Sequence, residues 1–289
     1  MEKTMEGLTV VITGGNDGIG LETSRVLARK GARLILVGRN AQRVTQATGY
    51  IRQTTGNKQV EYVLADLSRQ RDIRQAASEI IKRTNQIDVL INNAGGTFGD
   101  FHLSEDGLEM TFATNHLAYF LLTGLLLDPI MRSDYARIIN VASDSHFRGR
   151  IDFESFRSNR NYFVMKAYAQ SKLANVLFTF ELADRLKNTH VTVNCLHPGT
   201  IQTGIARKAG LKWYIALAWK IFSSFVSVSL EKGAETSVYL ATSEEVKGIT
   251  GKYFSRCRQQ QAAPLAYDVA LRKKLWQVSE ELTGFTYPV

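Results

Sequence analysis

A tyrosine and a lysine four residues apart, Tyr168-Ala169-Gln170-Ser171-Lys172, stand near the start of a helical pattern that runs from Tyr162 to Asn188. Positions i and i+4 share one helix face, so the phenol and the ammonium can lie side by side. A free tyrosine, with a pKa of about 10, is a poor base near neutrality. A neighbouring cation favours the phenolate and lowers that pKa. The pair then forms a general acid/base suited to proton transfer at a carbonyl or an alcohol. Tyrosine and lysine at this spacing also occur on ordinary helix surfaces, and the pair alone does not separate the two readings.

A second constellation lies near the start of the chain. After an apolar run come Thr13-Gly14-Gly15-Asn16-Asp17-Gly18-Ile19-Gly20 and then a helical pattern. A strand, a glycine-rich turn and a helix N-terminus make an anion site, because backbone N–H groups point at the ligand and glycines let it approach. The next strand candidate ends in Leu36-Val37-Gly38-Arg39-Asn40. A site specific for NAD usually carries a carboxylate there, on the ribose hydroxyls. A carboxylate repels a 2′-phosphate, whereas an arginine can pair with it through two hydrogen bonds. Arg39 therefore points to NADP(H) over NAD(H).

These groups need a scaffold, and the hydrophobic pattern supplies one. Strand-like runs occur at Leu8–Thr13, Arg33–Val37, Gln59–Ala65, Ile87–Ile91, Ala136–Ala142, His190–Leu196 and Thr250–Phe254. They are short and rich in Val, Ile and Leu, as strands buried on both faces should be. Helical patterns separate them, among them Ile19–Lys30 and Arg69–Thr84. This alternation predicts an α/β fold: a Rossmann-type, doubly wound, mainly parallel sheet of seven strands with helices on both faces. No linker or repeat divides the chain, so residues 1–289 are expected to form one domain. Two stretches break the rhythm, a polar one at Asp144–Asn161 and an aromatic, apolar one at Thr203–Leu230. Both follow strands, and ligands in such folds bind beyond the carboxyl ends of the strands. Residues 203–230 are thus expected to be a substrate lid. Trp213 to Val228, with Lys212 and Lys220, also has the content of a peripheral membrane contact.

Composition narrows the field. The net charge of +9 is spread, with basic residues interleaved among acidic ones. That argues against nucleic acid, and Arg272-Lys273-Lys274 reads as a solvated helix face. Cys195 and Cys257 have no metal-ligand spacing and suggest a reduced, intracellular chain. His146 and His197 lack a third ligand, so no metal is expected, and His197 reads as structural or as a support behind the reacting groups. No signal peptide is visible, and the uncharged window Thr111–Leu127 contains Asn115 and His116. A soluble, cytoplasmic protein is expected.

Taken in order, the motifs resemble those of the short-chain dehydrogenase/reductases over essentially the whole chain. Thr13 to Gly20 is similar to the family's cofactor motif, and Asp66-Leu67 to its adenine-contacting segment. Asn92-Asn93-Ala94-Gly95 resembles the segment closing the fourth strand, and Asn115 the family's helix asparagine. Ser143, Tyr168 and Lys172 resemble its catalytic set, and Pro198-Gly199 with Thr203 the segment beside the nicotinamide. Gly14, Asn16, Asp17, Gly18, Ile19, Gly20, Arg39, Asn93, Ala94 and Gly95 complete the implied cofactor site.

The resemblance implies that Tyr168 donates the proton in carbonyl reduction and that Lys172 binds the nicotinamide ribose. It implies that Ser143 bonds the substrate oxygen and that Asn115 positions a water linking Lys172 to solvent. A non-catalytic NADP-binding sensor or scaffold is the alternative, but it would have lost the Ser–Tyr–Lys set.

Asn194-Cys195-Leu196-His197-Pro198-Gly199-Thr200, the gap from Ser143 to Tyr168, and Gly251-Lys252-Tyr253-Phe254-Ser255 look like the retinol dehydrogenase-like branch. The terminal Leu275 to Leu282 fits it too. Met1–Gly7 is charged, where membrane-anchored members of that branch carry an apolar helix. The expected substrate is accordingly a small apolar aldehyde, ketone or alcohol. The family often pairs the helices carrying Asn115 and Tyr168 between subunits, and the apolar Tyr119–Leu127 stretch suits a homodimer or homotetramer.

Overall fold

A computed structural model describes residues 4–160, 162–199 and 229–289. Eight strands form one sheet: β1 Thr9–Thr13, β2 Arg33–Gly38, β3 Val60–Leu64, β4 Val89–Asn92, β5 Arg137–Val141, β6 Thr192–His197, β7 Lys252–Ser255 and β8 Arg258–Gln260. Their order is β3-β2-β1-β4-β5-β6-β7-β8. The first seven run parallel, and β8 returns antiparallel to β7. The sheet therefore has one strand more than the expected seven. β8 is three exposed polar residues, which give no apolar signal in the sequence.

The helices are α1 Gly18–Arg29, α2 Ala41–Thr55, α3 Gln70–Arg83, α4 Met110–Phe112, α5 Ala118–Leu125, α6 Leu127–Met131, α7 Val164–Arg185, α8 Leu230–Thr242 and α9 Val269–Thr283. They cover both faces, because strands such as β1 and β5 are buried along their whole length. On one face Leu27, Val44, Ile51 and Leu240 pack against Val10, Ile12, Leu34 and Ile139. On the other, Ile73, Phe120, Phe178 and Trp276 pack over Val11, Ile35, Leu90 and Ile138. Both layers remove large apolar side chains from water, the dominant favourable term in folding.

Strand register brings the carboxyl ends to one edge. Thr13 lies opposite Val37, Asn92 opposite Asn140, Val141 opposite Leu196, and His197 opposite Ser255. The chain winds outward from β1 to β3 and then from β4 to β8, so the switch point lies between β1 and β4. A buried polar relay crosses the sheet there. Asn92 Nδ2 donates to Thr123 Oγ1 and to Asn140 Oδ1, both at 2.9 Å, and Asn140 Nδ2 donates to Thr179 Oγ1 at 2.9 Å. In a low-dielectric interior these bonds fix α5 and α7 against β4 and β5.

Two stretches singled out in the sequence are packed within the chain. The Tyr119–Leu127 stretch lies under α9 and the tail of its own chain. Trp276 stands 5.1 Å from Phe120 and 4.6 Å from Tyr287, ring centre to ring centre, and Tyr287 donates to the Phe120 carbonyl at 2.5 Å. Arg272 is not a solvated cation: it is sunk between helices and pairs with Asp184 at 2.8 Å. Among the described residues, no helix is long and apolar enough to cross a membrane.

Candidate active site

The glycine turn between β1 and α1 is held by β4. Thr13 Oγ1 accepts from the amides of Asn93 and Ala94 at 2.9 Å each, and Asn93 Nδ2 donates to the Thr13 carbonyl at 2.8 Å. Asn16 lies against the end of β2 at Gly38. Asp17 precedes α1 without capping it, and the first turn holds no acid, so its amides have no side-chain acceptor. Gly18 sits at φ +52°, and a side chain there would enter open space. Open space beside uncapped helix amides fits a diphosphate. Ile19 and Gly20 continue this turn.

A cleft of about 400 Å³ opens beyond β2 and β3, lined by Arg39, Asn40, Asp66, Arg69 and Asp72 among others. Burial pushes the Asp66 carboxyl up, but two hydrogen bonds from Ser68 and the charges of Arg39 and Arg69 bring it below the usual range. Asp66 thus stays ionised, facing two arginines. Arg69 also pairs with Glu105 at 2.8 Å. The Leu67 side chain is buried in the core, so only its backbone is available to a ligand.

The chemical end lies across the switch point. Ser143 follows β5 and caps a 3₁₀ turn, Asp144–Arg148, its Oγ accepting from Ser145 N at 3.2 Å. Tyr168 lies in the second turn of α7, on the side of Ser143. Lys172 is buried one turn on, its Nζ donating to the Val141 carbonyl at 3.0 Å and standing 5.7 Å from the centre of the Tyr168 ring. Burial pulls the Lys172 ammonium down to about 8. Burial also pushes the Tyr168 phenol above its ordinary 10, and the Ser143 bond pulls part of the way back. The net shift is upward, against the depression expected from Lys172, and the phenol is protonated at neutral pH.

Asn115 lies in a π-helical turn, Ala113–Leu117, between α4 and α5. Its Oδ1 accepts from Gly96 N at 2.9 Å, and its Nδ2 donates to Gly96 O at 2.9 Å and to Ser171 Oγ at 3.0 Å. Both amide protons are used, and Oδ1 keeps one lone pair for a further donor. A Cβ on Gly95 would stand 3.0 Å from Asn115 Oδ1 and 3.4 Å from Lys172 Nζ, so the glycine lets the three segments meet.

Pro198 and Gly199 follow β6, and Thr203 lies outside the described residues, as do residues 203–228 of the expected lid. Ser229 and Leu230 belong to the start of α8, with Ser229 as its cap. His146 is fully buried: one ring nitrogen faces the Ser143 carbonyl at 2.7 Å and the other accepts from Ala263 N at 3.0 Å. His197 is engaged at both ring nitrogens by Asp144. Neither ring has a nitrogen left for a metal. Sequence reasoning missed Ser171, Gly96 and the Val141 carbonyl as partners of the central groups. Ser171 stands inside the Tyr168–Lys172 motif, but only the packed helices show that it meets Asn115.

Comparison with known proteins places the chain in a family. The short chain dehydrogenase family profile matches residues 8–212. Retinol dehydrogenase 13 of Homo sapiens is 42% identical over 99% of this chain and 87% of its own length. Retinol dehydrogenase 12 of Homo sapiens is 41% identical over 98% and 88%. Mus musculus retinol dehydrogenase 14 is 40% identical over 97% and 87%. Among solved structures, an uncharacterised protein from Mycobacterium paratuberculosis superposes with a TM-score of 0.79 at 32% identity, over 100% of this chain and 97% of its own. A short chain dehydrogenase from Escherichia coli CFT073, complexed with NADPH, shares the fold with a TM-score of 0.68 at 24% identity, over 88% and 98%.

Proposed function

The chain belongs to the short-chain dehydrogenase/reductase family, in its retinol dehydrogenase-like branch, and from that premise we propose that it is an NADP(H)-dependent oxidoreductase interconverting an apolar alcohol with its aldehyde or ketone. The observation that carries this reading is the convergence of Ser143, Tyr168 and Lys172 at the carboxyl end of β5, with Lys172 Nζ on the Val141 carbonyl and 5.7 Å from the Tyr168 ring centre. The bound nicotinamide would supply or accept the hydride. Tyr168, half-buried and protonated, is placed to give its proton to the carbonyl oxygen during reduction, and takes it back in oxidation. Ser143 donates a hydrogen bond to the same oxygen and stabilises charge as it develops there. Lys172 spends one proton on the Val141 carbonyl, which leaves two for ribose hydroxyls. Its charge then favours the transient phenolate. Asn115 locks Gly96 and Ser171 together, so that Gly95 and Lys172 keep their separation.

Around the cofactor, the turn from Gly14 through Gly20 would hold the diphosphate, Arg39 and Asp66 the adenosine end, and Asn93 to Gly95 with Pro198 and Gly199 the nicotinamide end. Arg39 supports the phosphorylated cofactor. Phe147, Phe163 and Met165 are exposed on the two elements that carry Ser143 and Tyr168, which supports an apolar substrate. The chain leaves β6 on this edge and α8 then carries it to the start of β7, parallel to β6, at the other edge, which supports residues 203–230 as a lid.

A panel of aldehydes, ketones and alcohols, read by reduced-nicotinamide absorbance with both cofactors, tests the reading. We expect NADPH-linked reduction of apolar carbonyls. Arg39→Ala should weaken NADPH binding roughly 10- to 100-fold, the worth of a charge-assisted pair, and NADH binding less than about twofold. No turnover across the panel, or equal loss for both cofactors, would contradict it.

A further inference from the structure

The turn after β5 that carries Ser143 is gripped from outside by His197 and Tyr253, two groups with no part in the site described above. Asp144, next to Ser143, has a side chain 61% exposed, yet it is held on three sides. Its amide donates to His197 Nδ1 at 3.3 Å, and its Oδ2 accepts from His197 Nε2 at 2.9 Å. Its Oδ1 accepts from the Tyr253 hydroxyl at 2.8 Å. His197 ends β6 and Tyr253 lies in β7, so the two strands beyond β5 both reach back to one residue.

The hydrogen bonds fix the roles. A ring nitrogen that accepts from an amide carries no proton, so the proton of neutral His197 is on Nε2, where it faces the carboxylate. His197 thus reads the backbone and the side chain of Asp144 together. Burial and the neighbouring Asp144 carboxylate push the Tyr253 phenol far above its ordinary value, so Tyr253 keeps its proton and donates. A lone exposed carboxylate on a surface turn would carry little positional information. Bonded to a buried ring and a buried phenol, it ties the 3₁₀ turn to the sheet.

We propose that His197 is a positioning residue: through Asp144, with Tyr253 in support, it sets where the Ser143 hydroxyl stands relative to Tyr168. The inference rests on the reading of Ser143 as the substrate-oxygen donor. A displacement of about 1 Å in such a group can cost on the order of 100-fold in rate. Glutamine offers one acceptor and one donor, as the neutral ring does, and phenylalanine offers neither.

The test is a double-mutant cycle on single-turnover NADPH oxidation with a carbonyl substrate, run beside NADPH binding. His197→Phe should slow the single turnover roughly 10- to 100-fold with NADPH affinity within about twofold of wild type. His197→Gln should recover the rate to within about threefold of wild type. On a Ser143→Ala background, His197→Phe should cost less than about twofold more, because interacting residues are not additive. If His197→Phe does not fold, Tyr253→Phe serves in its place, with a smaller loss that also vanishes on the Ser143→Ala background. A wild-type rate for His197→Phe, or the same fold-loss with and without Ser143, overturns the proposal. A wild-type rate for Ser143→Ala alone instead overturns the reading of the site.

Discussion

Asn115→Leu should damage stability and turnover together, and the structure sets the size of the effect. Asn115 is fully buried and makes three hydrogen bonds, two with the Gly96 backbone and one with Ser171 Oγ. Leucine fills the same space but makes none of them. Gly96 is half-buried, so water reaches its amide and carbonyl in part, and each lost bond costs about 1 kcal/mol or somewhat more. Ser171 still donates to the Tyr168 carbonyl at 2.8 Å and loses only a donor to one lone pair, a smaller cost. The sum is about 2–4 kcal/mol. Unfolding entropy of about 2.1 cal/mol/K per residue gives this chain roughly 0.6 kcal/mol/K, so Tm should fall by about 3–7 °C. Released from Asn115, the Gly95–Gly96 segment no longer keeps its place against Lys172, and turnover should drop at least about tenfold. Thermal unfolding and steady-state NADPH oxidation on the same preparation read both. A variant with wild-type Tm and turnover would refute the argument that this side chain clamps the site.

Lys172→Met should change the pH dependence of stability. Burial holds the folded Lys172 at about 8, below its ordinary 10.5. Between those values the unfolded chain binds a proton that the folded chain does not, so stability gained through this group rises with pH and the full penalty stands below pH 8. Urea unfolding at pH 7, 8 and 9 should show wild type gaining on the variant above pH 8, by up to ~1.4 kcal/mol per pH unit, and a constant difference would exclude the group as the source. Trp276→Ala should cost about 3–5 kcal/mol, because the ring is buried against Phe120 and Tyr287 and lies 4.1 Å from the Arg185 guanidinium. Trp276→Phe should cost much less, since the indole Nε1 has no hydrogen-bond partner among the described residues; a loss under about 1 kcal/mol for the alanine variant would contradict the covering role of α9.

The sequence made the central parallel strands legible because they are short apolar runs buried on both faces, as in Thr9–Thr13 and Arg137–Val141. The cofactor turn and the Tyr168–Lys172 pair were legible for a different reason: their spacing is local, within one turn or one helix. β8 was not, because Arg258–Gln260 has no buried residue to mark it. The cover over Tyr119–Leu127 was not legible either, since an apolar face reads the same whether α9 or a second subunit buries it. The Asp144–His197–Tyr253 grip joins residues more than fifty positions apart, and only strand register places them at one edge. The Tyr168 phenol illustrates a limit of local reasoning. The lysine one turn away was visible, but the burial that raises the phenol comes from the whole fold.

Tyr168→Phe tests the central claim most directly. The substitution removes one hydroxyl and leaves the ring, so the fold and the cofactor turn should be intact. The account predicts that NADPH binds within about twofold of wild type while carbonyl reduction falls by at least about 100-fold, the worth of a positioned general acid. Near-wild-type turnover in a variant that binds NADPH normally would contradict it.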